Sequence, residues 1–157
     1  MNTEPHPVPP QDHQDRRHWM SVLAKADPER LKALWSAETG QPPYQFVRKP
    51  ETGLVMLRGR MGGSGAPFNL GEATVTRCAV RTDDGLFGQS YVMGRDAAHA
   101  EIAAVYDALL QDADRRDAIM AAVIAPLEET HADLARERAA KAAATRVDFF
   151  TMVRGED

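Results

Sequence analysis

Between Tyr44 and Met93 the turn signals come too often for a helix to fit between the strand-forming runs, and this spacing constrains the fold most. The runs are YQFVRK (44–49), GLVMLRGR (53–60), EATVTRCAV (72–80) and LFGQSYVM (86–93). Their β-branched and aromatic residues suit a pleated, half-buried surface, and Gly, Pro and Asp punctuate them. Parallel neighbours need a crossover of a dozen or more residues, so the four runs predict an antiparallel sheet. TDDGL (82–86) is the clearest of the turns, because Asp-Gly supplies the positive φ that tight hairpins require.

Helical periodicity brackets this stretch. From Asp12 onward Trp19, Met20, Val22 and Leu23 form a short apolar face, and a second helix restarts at ADPER. There Asp27 is an N-cap, Pro28 sits where a helix tolerates proline, and Leu31, Leu34 and Trp35 give the buried stripe. Gly40 and QPPY end it. After the strands, Asp96 caps the strongest helix, with Ile102, Val105, Tyr106, Leu109 and Leu110 at helical spacing. DAIMAAVIA runs to Pro126, and a last helix follows from there. The expected fold class is α+β, a four-stranded antiparallel sheet flanked by N-terminal and C-terminal helices, with an extended apolar C-terminal arm. Residues 1–11, with four prolines, read as a disordered tail, and 12–157 as one domain in which 127–157 form a helix and arm.

That last helix is rich in alanine and charge, with high propensity but few large apolar side chains to bury. VDFFTMV follows, and Val147, Phe149, Phe150, Met152 and Val153 suit an arm that docks on another chain. From the residues alone, folding back onto the chain's own sheet is an equal alternative. A net charge of −4 argues against a general nucleic-acid binder. No apolar run has membrane-spanning length and no leader is visible, so the cytoplasm is the expected compartment. The single cysteine, Cys78, excludes a disulfide within the chain and an all-cysteine metal site.

RMGGSG (60–65) raises the question of a phosphate loop. A P-loop needs a lysine after its glycines and a helix behind it, whereas here FNLGEATVT continues as a strand. A weaker anion nest remains open, built from Gly62, Gly63 and Ser64 with Arg58 and Arg60. A plain connection between strands is the simpler reading, and composition favours it. GRDAAHAE offers a second candidate, with Arg95 and His99 beside a helix N-terminus. Capping by Asp96 would occupy the same N–H groups and leave His99 as a surface residue. Cys78, in TRCAV, reads as a small buried hydrophobe. The five histidines show no i, i+4 pair, so no metal ligand and no catalytic residue is assigned.

Taken together, RRHWMSVLAKA, the segment from ETGLVMLRGRMGGSG through TVTRCAV to GRDAAHAE, IAPLE and RVDFFTMVRGE resemble the PhnG family, over about Arg16 to Gly155. That family supplies the small subunit of the bacterial carbon–phosphorus lyase core complex. The resemblance implies a role in forming a ribose 1-alkylphosphonate 5-triphosphate from MgATP and an alkylphosphonate, with release of adenine. It implies partners in a hetero-oligomer: the I-type nucleosidase subunit and the H- and J-type subunits. A partner with an iron–sulfur cluster and S-adenosylmethionine then cleaves the carbon–phosphorus bond. One cysteine cannot hold such a cluster, so this chain is expected to bind no cofactor alone. Membership of a permanent complex also tips the apolar tail toward docking. Two rival readings are a free-standing phosphate- or phosphonate-binding module or enzyme using the glycine loop, and a purely structural scaffold.

Overall fold

A computed structural model describes residues 10–38 and 40–145. Helices α1 (Pro10–Lys25) and α2 (Pro28–Ala37) come first, then strands β1 (Tyr44–Arg60), β2 (Pro67–Thr82) and β3 (Phe87–Met93). Helices α3 (Ala97–Leu109), α4 (Ala113–Ile119) and α5 (Ala125–Ala144) complete the order. The predicted capping holds: Asp27 Oδ1 accepts from Arg30 N at 2.9 Å and Asp96 Oδ1 from His99 N at 2.9 Å. Gly85, at φ 88°, turns the chain between β2 and β3, where its N–H donates to Thr82 O.

The sheet has three antiparallel strands in the order β1-β2-β3, not the four expected. The first two strand runs are one strand, because PETG (50–53) does not turn the chain. β1 instead stays paired with β2 through two register shifts, between Phe46 and Arg48 and between Arg48 and Glu51. At each shift β1 advances one residue more than its partner, as a β-bulge does. Such bulges absorb Pro50, whose missing N–H is tolerable because β1 is an edge strand.

Helix α3 packs across one face of the sheet, where Thr76, Cys78, Val80 and Val92 are buried. It is buried almost all round, with the sheet beneath it and Trp19, Leu23 and Leu31 of α1 and α2 among its core neighbours. Gly88 shows how close the approach is: a Cβ there would lie 1.9 Å from Ala104 O. Trp35 meets the Tyr106 ring edge-on, with centroids 5.2 Å apart. The break expected at Pro126 is instead a π-turn, Met120–Ile124, joining α4 to α5. Ala125 N reaches back five residues to Met120 O, and the widened turn accommodates the proline that follows.

The β1–β2 hairpin is much longer than β3. Gly53, Val75 and Met93 lie abreast, and past Thr74, whose carbonyl still accepts from Gly94 N, β2 has no strand beside it on its β3 side. Residues 54–60 and 67–73 therefore leave the body as a two-stranded ribbon, about 23 Å long at ~3.3 Å per residue. Helix α5 is a second projection. Leu127 is buried, but residues 131–144 are exposed throughout.

Candidate functional site

The glycine loop lies at the tip of the ribbon. Met61–Gly63 form a single 3₁₀ turn, with Gly62 and Gly63 at φ 58° and 82°, in the left-handed region that glycine enters without strain. Gly65 N donates to Met61 O at 2.9 Å, and a Cβ on Gly65 would approach that same oxygen to 2.7 Å. Arg60 Nη1 donates to Gly65 O at 3.2 Å, so this arginine closes the loop on itself. Arg58 sits opposite Asn69, one step beyond a third register shift, and is exposed. The tip is a closed hairpin turn with a basic end.

Arg95 and His99 are nowhere near it. They lie at the start of α3, close to Met93, whereas Arg60 is seven residues up the ribbon from Gly53, roughly 23 Å along β1. The two candidate sites therefore do not combine. Asp96 caps α3, and its carboxyl is held below the usual carboxylate range by the His99 N–H, with the Lys32 ammonium 3.5 Å away adding to this. His99 is not the surface residue expected of a capped helix start. It is 2% exposed, and its Nε2 donates to Leu23 O at 2.7 Å, tying α3 to the end of α1. Arg95 remains exposed. Cys78 is buried, its Sγ is 3.5 Å from Arg48 O, and burial pushes the thiol up to about 11, so little thiolate forms at neutral pH. Among the described residues no group of three or more His, Cys, Asp or Glu side chains could hold a metal. The interface residues Val147, Phe149, Phe150, Met152 and Val153 lie outside the described residues.

Sequence reasoning missed two features. The first is Asp107, fully buried in α3 and accepting four hydrogen bonds: Arg16 Nε at 3.1 Å and Nη2 at 2.8 Å, Trp19 Nε1 at 3.0 Å and Gln89 N at 2.9 Å. It locks α1 and β3 onto α3. Beside it a groove of about 450 Å³ opens between α1 and β3, walled by His13, Arg16, Arg17 and Tyr91. The only sequence signal was an aspartate on a helix face otherwise wholly apolar. Such a residue must find partners or cost several kcal/mol.

The second is the apolar surface of the ribbon. Leu54, Met56 and Leu70 are 62%, 51% and 65% exposed, and Leu57, Met61 and Phe68 are also open. Alternation along β1 puts Leu54 and Met56 on the α3 side of the sheet and Leu57 on the other. Apolar residues clustered this densely on a narrow projection mark a contact surface.

A small α+β body with a bare apolar ribbon and a helix leaving its surface belongs to the class of assembly subunits. Comparison with known sequences gives the particular family. The family described as phosphonate metabolism protein PhnG matches residues 14–155. A Rhizobium meliloti (strain 1021) protein, alpha-D-ribose 1-methylphosphonate 5-triphosphate synthase subunit PhnG, is 50% identical over 145 residues, covering 90% of each chain. The chain belongs to the PhnG family. Among the described residues no helix is long and apolar enough to cross a membrane.

Proposed function

We propose that this chain is a subunit of ribose 1-methylphosphonate 5-triphosphate synthase and acts in the catabolism of organic phosphonates. One observation carries the reading: half of the 145 aligned residues are identical to those of a named subunit of that synthase, over nine-tenths of both chains. An exposed ribbon that needs covering agrees with it. The partners are the other subunits, which for the carbon–phosphorus lyase system means the larger I-type nucleosidase with the H- and J-type subunits, in the cytoplasm. The assembly uses MgATP and methylphosphonate, and this chain adds no complete active site of its own. The iron–sulfur cluster and S-adenosylmethionine belong to a partner, because one buried cysteine cannot replace a set of thiolate ligands.

Reconstitution tests this directly. The other synthase subunits, expressed with and without the full chain, are supplied with MgATP and methylphosphonate, and phosphorus NMR follows the new phosphonate ester. Product is expected only when the chain is present, and none from the chain alone. Undiminished product without the chain would overturn the proposal.

A further inference from the structure

The ribbon shows how this subunit is held. On one face stand Leu54 and Met56, and on the other Leu57, which looks across at Gly71 and so has no cross-strand side chain to cover it. Leu70 and Phe68 add apolar area from β2, and Met61, 76% exposed, stands at the tip. A subunit resting on one side of the ribbon would leave the opposite face in water. We infer that the ribbon inserts between two apolar walls of a larger synthase subunit, which grips it on both faces. This rests on the reading of the chain as a synthase subunit.

Charge adds to the description of the partner. Along the ribbon Arg58 and Arg60 lie at the far end, while Glu72, opposite Met56, is the one acidic residue. Arg60 uses one N–H on Gly65 O and has others to offer, and Arg58 is exposed. The receiving cleft therefore has apolar sides and carboxylates at its closed end, where they meet the two guanidinium groups. The glycine turn fits this task. A tip of Gly62, Gly63, Ser64 and Gly65 is narrow, and it lets the backbone and both arginines reach the floor of a cleft that a bulkier loop would not enter.

The test uses the full chain co-expressed with the other synthase subunits, with a photo-crosslinking amino acid placed at position 56 or at position 57. These neighbours point to opposite faces, so insertion predicts a crosslink to the same partner subunit from both. A crosslink from one position only, or to a second copy of this chain, would overturn the inference. Leu54→Ser/Leu57→Ser and Arg58→Glu/Arg60→Glu variants are expected to retain far less partner, about tenfold or more below wild type. Circular dichroism of each isolated variant confirms that the body still folds. Wild-type recovery by both folded variants would also overturn it. If the unmodified chain captures no synthase subunit at all, the subunit reading fails first, and the two failures are distinguishable.

Discussion

The ribbon and helix α5 both leave the body of the domain, and they are built on opposite chemistry. In the ribbon the backbone groups facing inward are paired between strands, but large apolar side chains stand open on both faces. A two-stranded hairpin is marginal in water, so it gains a fixed shape when something covers it. Residues 131–144 of α5 are also exposed, yet they are mostly alanine and charged residues. Alanine has the highest helix propensity, and every helical hydrogen bond closes within the segment itself. Lys141 and Glu137 approach to 2.7 Å one turn apart, in the favourable orientation. A helix of this kind keeps its form without a neighbour. One projection thus asks for a partner, and the other can act as a strut.

The largest effect is expected in the body that carries both projections. Asp107→Ala should destabilise the body by about 3–5 kcal/mol, since the buried carboxylate is the acceptor for Arg16, Trp19 and Gln89 together. Urea unfolding followed by circular dichroism checks it, and Asp107→Asn should lose less because an amide oxygen still accepts. If α5 melted first in a separate step, it would not be anchored by this body through Leu127 as the buried contacts imply.

Amide exchange separates the two projections next. In the isolated chain the ribbon amides of 54–60 and 68–73 should exchange early, near the rate of local opening. In the assembled synthase they should slow by about 100-fold or more, the protection expected when a marginal hairpin is clamped. The amides of 131–144 should change much less at their own sites. Equal protection of both segments would erase the distinction between them.

Much of this architecture was legible in the residues, for local reasons. Asp27 and Asp96 cap helices as read, because a side-chain acceptor ahead of free N–H groups is a short-range device. Asp-Gly turns the β2–β3 hairpin for the same reason. The strand count was not legible: Pro50 and Gly53 carry turn chemistry, and pairing along the sixteen-residue partner strand β2 overrode it through bulges. His99 was misread because burial at the α1–α3 contact depends on residues 76 positions apart. The ribbon was hidden for a related reason. GLVMLRGR and FNLGEATVT look like ordinary core strands, and only the shortness of β3 leaves them outside the body.

The root of the ribbon gives a smaller, pH-dependent prediction. Thr76 Oγ1 donates to Gly94 O at 2.7 Å and Gly94 N donates to Thr74 O at 2.8 Å, just before Asp96 caps α3. Asp96→Ala should cost about 1 kcal/mol, as the loss of an N-cap does. Because the folded carboxyl is held below its ordinary value, the contribution is fully present above the unfolded pKa. It is lost as pH falls through the folded one. Wild type and variant should therefore converge in stability in acid and stay apart at neutral pH. A gap that persisted in strong acid would mean that the side chain acts by packing rather than by its charge.

The smallest effect belongs to the strut, and it tests whether α5 stands on propensity alone. Ala140 is exposed, as are all its neighbours from 131 to 144, so Ala140→Gly removes no buried side chain. What it changes is the backbone freedom lost on forming the helix, about 1 kcal/mol. That loss should appear as faster amide exchange confined to the neighbouring turns of α5, while the urea midpoint of the body stays where it was. The same substitution on α3, at Ala104, would strip a fully buried methyl from the core and lower the midpoint itself. If Ala140→Gly moved the global midpoint as Ala104→Gly does, α5 would be part of the cooperative core, and its contrast with the ribbon would lie in composition rather than in independence.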